Sequence, residues 1–240
     1  MPAPVPASAE HSAVVIGASG GIGAAFEAAL IEEGAYAAVH GLARSRSGAQ
    51  HIDLEDEASI AAAAAHVSQG PLPTLVIVAT GLLHDEHNGP EKALRHIDPA
   101  WLARMFAVNA TGPALAAKHF LPLMPTGART VFAALSARVG SIGDNHLGGW
   151  HGYRASKAAL NMLVRTLAIE EQRRSKRSIV VSLHPGTVDT ALSRPFQGNV
   201  AAGRLFDAER AALQLLDVIG ELTPADTGKL FDFEGRVIPF

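Results

Sequence analysis

The segment Val14-Val15-Ile16-Gly17-Ala18-Ser19-Gly20-Gly21-Ile22-Gly23 decides the fold. A short β-branched run reads as a strand covered on both faces, and it breaks into glycine just before a helical pattern that spans Ile22–Glu33. Such a tight turn needs φ > 0 and close backbone approach, which glycine supplies at least steric cost. The helix that follows offers free N–H groups and the positive end of its dipole to a pyrophosphate. The spacing is Gly-x-x-x-Gly-x-Gly, not Gly-x-Gly-x-x-Gly, so the turn has weight mainly through its place at a first strand. Gly17, Ser19, Gly21, Ile22 and Gly23 are the expected cofactor contacts on this turn.

Outward from the turn, apolar β-branched runs alternate with Ala/Leu-rich segments of helical period. Strands are expected over Ala13–Ile16, Ala37–Leu42, Leu75–Ala79, Thr130–Ala134 and Ile179–Leu183, with a shorter one at His51–Leu54 and a late one at Lys229–Phe233. Helices are expected over Glu57–Val67, Pro99–Phe120, Tyr153–Arg174 and Asp207–Gly220. The alternation implies an α/β, Rossmann-like, doubly wound parallel sheet with helices on both faces. Residues 11–240 read as one domain behind a Pro/Ala-rich leader, 1–10, expected to be disordered. In this architecture ligands sit at the carboxyl ends of the strands.

Composition narrows the function classes. The 240 residues include no cysteine, which excludes disulfides, thiolate metal sites and a cysteine nucleophile. A net charge of −3 leaves no basic surface for nucleic acid or anionic lipid. No apolar run approaches a membrane span, and the leader lacks the features of a signal peptide, so a cytoplasmic location is expected. His84, Asp85, Glu86 and His87 cluster after Leu75–Ala79, but no zinc-type spacing exists and no metal is expected. There is no Gly-x-Ser-x-Gly elbow of the hydrolase kind.

The second strand ends His40-Gly41-Leu42-Ala43-Arg44-Ser45-Arg46. An acidic residue would hold a ribose 2′-hydroxyl there; Arg44, Ser45 and Arg46 suit a 2′-phosphate instead, so NADP(H) is favoured over NAD(H). Tyr153-Arg154-Ala155-Ser156-Lys157 opens a helical stretch. Residues four apart share one helix face, and an ammonium beside a phenol is expected to lower its pKa toward working pH.

With Gly17-x-x-x-Gly21-x-Gly23, Asp53-Leu54, Asn109 in Val108–Gly112, Tyr153-x-x-x-Lys157 and Pro185-Gly186-x-x-x-Thr190, the chain resembles the short-chain dehydrogenase/reductases from about Ala13 to Phe240. Ser136–Ile142 and Tyr153–Asn161 are similar to sniffer-type carbonyl reductases and C-factor-like bacterial proteins. The resemblance implies hydride transfer between a nicotinamide and a carbonyl or alcohol. Tyr153 would protonate the carbonyl oxygen, Lys157 would hold the ribose hydroxyls, and Asn109 would anchor a water of the proton relay. Asp53 and Leu54 would flank the adenine, while Pro185, Gly186, Val188 and Thr190 would cradle the nicotinamide amide and pyrophosphate.

The chain departs from that family's pattern at named places. Val78-Ala79-Thr80-Gly81 stands where Asn-Asn-Ala-Gly is usual, with Ala79, Thr80 and Gly81 still expected along the cofactor, and Ile16 replaces a threonine. The catalytic serine is expected at Ser136, 17 residues before Tyr153; Ser141 is its rival, and alignment on Gly140 would put Ala137 in the place instead. Leu192 and Phe196, in the segment Ala191–Asn199 where relatives carry a lid, suggest an apolar substrate. Relatives imply a homodimer or homotetramer through the helices Pro99–Phe120 and Tyr153–Arg174. The alternative reading is a cofactor-binding regulatory or signalling protein with little turnover.

Overall fold

Five parallel strands form the centre of the sheet: β1 (Ser12–Ile16), β2 (Ala38–Leu42), β3 (Pro73–Val78), β4 (Thr130–Leu135) and β5 (Ser178–His184). A computed structural model describes residues 10–199, 203 and 205–240, so nearly all of the expected leader lies outside the described residues. Two short strands, β6 (Thr187–Val188) and β7 (Leu205–Phe206), pair apart from the sheet, while β8 (Leu230–Asp232) and β9 (Val237–Ile238) complete its far edge. The sheet order is β2-β1-β3-β4-β5-β8-β9, all parallel except β9.

The sheet is buried on both faces because alternate side chains feed two cores. Val14, Ile16, Val76, Val78, Phe132 and Val180 point to one face. There they meet α2 (Glu57–Val67), α4 (Gly112–Phe120) and α5 (His151–Arg174). Ala13, Val15, Leu75, Ile77, Val131 and Val181 point to the other, against α1 (Gly21–Glu33) and α6 (Ala208–Glu221). The chain leaves β1 toward opposite edges through β2 and β3, so the switch point falls between β1 and β3. Gly17 N–H donates to Leu42 O and Ala79 N–H to Ile16 O, both at 2.7 Å, which brings both turns to one rim.

Three expected elements are corrected. His51–Leu54 is no strand; it makes one parallel bridge, Ala43 with His51, before Asp56 caps α2 with its side chain. The late strand narrows from Lys229–Phe233 to Leu230–Asp232, and its antiparallel partner β9 was too short for periodicity to reveal. The helix expected over Pro99–Phe120 is interrupted: α3 (Pro99–Phe106) passes through a π segment, Ala107–Thr111, before α4. Pro113 lacks the N–H that the Asn109 carbonyl would accept, and its ring crowds that carbonyl, so the ladder slips by one residue.

Candidate active site

Tyr153, Lys157 and Asn161 lie one turn apart on the buried face of α5. Lys157 Nζ sits 5.8 Å from the Tyr153 ring centre and donates to Leu135 O at 2.8 Å, which ties the helix to the end of β4. A Cβ on Gly81 would lie 3.9 Å from both Lys157 Nζ and Asn109 Oδ1, so the loop after β3 closes this corner. Asn109 is wholly buried: Oδ1 accepts from Leu82 N–H at 2.7 Å, and Nδ2 donates to Leu82 O at 2.8 Å and Ser156 Oγ at 3.1 Å. Its side chain is thus spent as a clasp. Pro113, four residues on, has no N–H to donate to the Asn109 main-chain carbonyl, so a relay water would have to meet that carbonyl and not the side chain.

The expected lowering of the tyrosine pKa is corrected. Burial of both groups dominates: it pushes the Tyr153 phenol up to about 12 and the Lys157 ammonium down to about 7. At neutral pH the phenol therefore keeps its proton, the form that can give it away.

Ser136 is also corrected. It is buried, and its hydroxyl donates to Asn161 Oδ1 at 2.7 Å, so its one proton is committed to the back of α5. The residue that faces the apolar cluster around Tyr153 is Ala137, beside Val139, Trp150, Leu192 and Phe196. Ser141 is sealed too, its Oγ accepting from Asp144 N–H at 3.1 Å. Ser136→Ala is therefore expected to leave the turnover rate within threefold. It should lower stability by roughly 1–3 kcal/mol through the orphaned Asn161 oxygen. A hundredfold rate loss in a variant with normal melting would restore Ser136 to the chemistry. Asn161 was missed as a partner; its position eight residues after Tyr153, on the same face, was the available signal.

At the switch point a cavity of about 290 Å³ is lined by Gly17, Ser19, Arg44, Asp53, Leu54, Ala79, Thr80 and Gly81 of the expected set. Its shape fits a dinucleotide on three observations. Gly17 is left-handed (φ 93°), and a Cβ there would stand 2.9 Å from Ala79 O, so only bare backbone fits the turn. Gly20 caps α1 without a side chain, leaving the first turn open to a phosphate. The Thr80 hydroxyl is sealed within the fold without a hydrogen-bond partner among the described residues. Thr190 is brought onto Gly21, where a Cβ would meet its Cγ2 at 2.8 Å, so the segment after β5 reaches the glycine turn. Val188 is buried with Phe206, Gly186 turns beneath Phe206 and Phe233, and Pro185 is half-buried between them and β5. Ile22 packs inward against α6 and Val188 rather than toward the cavity.

The two arginines part company. Arg46 is withdrawn from the expected 2′-phosphate seat: its guanidinium is bound by Glu27 at 2.8 and 2.5 Å and by Gly41 O at 2.7 Å. Arg44 stays two-thirds exposed on the cavity rim, 3.6 Å from Glu55, and Ser45 is exposed next to it. Glu55 was not expected at the rim; Arg44 and Arg104 flank it. In the histidine cluster, Asp85 binds the N–H groups of His87 and Asn88 and pairs with Arg104 at 2.9 Å, so it shapes its own loop. Among the described residues no three metal-ligating side chains converge, and no helix is long and apolar enough to cross a membrane.

A family model for short chain dehydrogenases matches residues 11–200. The chain belongs to the short-chain dehydrogenases. Among its relatives is the C-signal protein of Myxococcus xanthus, 36% identical over 148 residues, which are 62% of this chain and 84% of that one. Another is the 1-hydroxy-2-glutathionyl-2-methyl-3-butene dehydrogenase of a Rhodococcus species, 30% identical over 78% of this chain and 77% of the relative. The fold matches an NADPH-bound carbonyl reductase from chicken fatty liver with TM-score 0.81 at 24% identity, covering 100% of both chains. It matches the carbonyl reductase Sniffer of D. melanogaster at TM-score 0.75 and 20% identity, over 96% and 99%. This short-chain dehydrogenase is thus an NAD(P)(H)-dependent oxidoreductase, and Gly81, in the lining of the cavity that holds the glycine turn, comes close to Lys157.

One residue of the apolar cluster around Tyr153 holds an uncommon backbone conformation. Trp150, three before Tyr153, is the only non-glycine with positive φ among the described residues (φ 52°, ψ 44°), which costs roughly 1–3 kcal/mol. Two glycines in the same conformation precede it, Gly148 and Gly149. Glu91, buried, clamps the turn: its carbonyl accepts from Trp150 N–H at 2.6 Å and its carboxylate from Gly152 N–H at 3.1 Å.

Proposed function

We propose that the chain is an NADPH-dependent carbonyl reductase acting on an apolar carbonyl. The observation that carries this reading is the buried, protonated Tyr153 phenol, set beside Lys157 in a cluster of apolar side chains. The carbonyl carbon receives hydride from the reduced nicotinamide, and the carbonyl oxygen takes the Tyr153 proton, which leaves an alcohol. Lys157 would hold the ribose hydroxyls, and the Asn109 main-chain carbonyl would hold the water that re-protonates the phenol. Leu82, Leu83, Ala137, Val139 and Leu192 exclude water from the reacting atoms, which strengthens each polar contact there. Ala137 puts a methyl where a second hydroxyl donor would stand, so Tyr153 polarises the carbonyl alone.

The NADP(H) preference rests on Arg44, the rim cation whose only described partner is the weakly held Glu55. Arg44→Ala is expected to raise the NADPH dissociation constant about tenfold or more, the worth of one charged hydrogen bond, and to move NADH little. Fluorescence titration of both cofactors checks it; equal losses for the two would remove the assignment. Reduction of a panel of aldehydes and ketones with each cofactor tests the reading as a whole, and a tenfold preference for NADH would reverse its cofactor half. The same reading makes the chain a cytoplasmic homodimer or homotetramer. Met162 and Ile169, apolar and exposed along the outer face of α5, support an interface there.

A further inference from the structure

Helix α5 begins on a sequence poorly suited to start a helix. Its capping position is Trp150, which has no side-chain oxygen to offer, and its first turn holds no acidic residue. A helix end leaves free N–H groups and positive charge, which Ser, Thr, Asp or Asn at the cap, or a carboxylate in the first turn, ordinarily meet. The second helical residue, Gly152, is also a poor helix former. One side chain from elsewhere in the chain answers all of this. Glu91, in the segment after β3 and 61 positions from Gly152, is 3% exposed. Its Oε2 accepts from Gly152 N–H at 3.1 Å, and its main-chain carbonyl accepts from Trp150 N–H at 2.6 Å. A Cβ on Gly152 would stand 2.8 Å from Oε1, so the missing side chain is the room that the carboxylate needs. Oε1 is buried with no hydrogen-bond partner among the described residues, and the positive end of α5 lies against it. The two bonds, to alternate residues of one turn, also hold Trp150 in its left-handed conformation.

What this clamp holds is the proton donor. Tyr153 follows Gly152 directly, in the first turn of α5. Lys157 lies a turn further in and has its own anchor, Leu135 O at 2.8 Å, while Leu160, Val164 and Ala168 fix the rest of the helix to the core. Loosening the clamp therefore frays the turn that carries Tyr153 and leaves Lys157 in place. We propose that Glu91 is a positioning residue, which caps α5 from the segment after β3 and so sets the Tyr153 hydroxyl for proton transfer. This deepens the carbonyl-reductase reading and rests on it. A donor displaced by about 1 Å can cost on the order of a hundredfold in rate. Cofactor affinity does not share that dependence, because no residue of α5 lines the cavity at the switch point.

The test measures single-turnover reduction at saturating NADPH, per molecule that binds NADPH, with benzaldehyde or hexanal, whichever the wild type reduces faster. Glu91→Ala is expected to lower that rate about tenfold or more, with the NADPH dissociation constant within about threefold of the wild type. Glu91→Gln keeps an oxygen for Gly152 N–H and should hold the rate within about threefold of the wild type. In a Tyr153→Phe background Glu91→Ala should cost less than about threefold, because the donor it positions is gone; a merely structural role would cost the same in both backgrounds. Gly152→Ala, whose Cβ drives Oε1 aside, should lower the rate about threefold or more, and it decides the matter if Glu91→Ala does not fold. A folded, NADPH-binding Glu91→Ala that keeps the wild-type rate, or that loses equally in both backgrounds, overturns the role of Glu91 and leaves the reductase intact. A wild type that binds NADPH yet reduces neither aldehyde sinks the reductase reading, and the role of Glu91 with it.

Discussion

Tyr153→Phe should lower the rate of carbonyl reduction by a factor of about 10²–10⁴, the range for one positioned general acid, while the chain still binds NADPH within threefold of the wild type. The separation follows from geometry. The hydroxyl removed belongs to the Lys157 corner, whereas the 290 Å³ cavity at the β1–β3 switch point does not include Tyr153 in its lining. Stability should hardly move, because no described residue shares a hydrogen bond with the phenol, so removing its hydroxyl strands no partner. The Tyr153 donor should itself stay protonated as pH rises through the neutral range, so a change of rate there would report Lys157, whose ammonium, held down to about 7, loses its charge as pH rises past that value. With the phenol held up at about 12, the donor remains protonated well past the point where an ordinary tyrosine, near 10, begins to ionise. Reduction loses its proton donor only as pH nears that value; the reverse oxidation, which needs phenolate, is correspondingly disfavoured at neutral pH. Steady-state rates over pH 6–10 with a fluorescence binding curve would measure both. If Tyr153→Phe reduced carbonyls as fast as the wild type, or a biological activity survived the change, the enzymatic role of this corner would be lost and the regulatory reading would stand.

What the sequence could reveal followed the physics of each signal. Continuous β-branched runs mark doubly covered strands whatever their partners, so β1 to β5 and the two-core sheet were legible. The glycine turn was legible for a similar reason: Gly17 is wanted by a local backbone angle and by the close approach of Ala79, both set by strand-to-helix geometry. Where a side chain's role depends on the direction in which it points, spacing was not enough. Ser136 and Ala137 are neighbours at a strand end and point to opposite sides, so a one-residue choice sent the hydroxyl to Asn161 and the methyl to the cleft. Arg46 carries the charge expected of a phosphate seat, yet Glu27 on α1 reaches it first, a contact between residues 19 apart that no local pattern announces. The balance at Tyr153 was misread likewise: proximity of a cation was visible in the spacing, but the burial that outweighs it belongs to the whole fold.

The largest structural effect is expected at Gly23→Ala, where two rules of thumb oppose each other. Gly23 is the third residue of α1, and by helix propensity alone alanine there should stabilise by about 1 kcal/mol. The contact says otherwise. A Cβ at Gly23 would stand 2.1 Å from Gly17 O and 2.7 Å from Gly17 C, far inside van der Waals contact and against backbone, not a side chain that could turn away. Gly17 cannot yield, since its own Cβ position is closed by Ala79 O and its N–H is held by Leu42 O at 2.7 Å. The helix must therefore move off β1, carrying Phe26 and Leu30 out of the core beneath. Overpacking of a rigid site costs about 1–3 kcal/mol or more, and here the displaced core adds to it. The net expectation is a loss of about 3 kcal/mol or more, a drop in melting temperature of roughly 6–12 °C for a chain of this size. The pyrophosphate seat should be lost as well, because the α1 N-terminus shifts with the helix. Gly220→Ala is the control: it lies in α6, outside the cavity lining, with nothing within 4 Å of an added Cβ, so it should bind NADPH as the wild type does and melt no lower. If Gly23→Ala melted at or above the wild-type temperature with cofactor binding intact, propensity would have won, and the close packing of α1 on the glycine turn could not be what holds the cofactor site in shape.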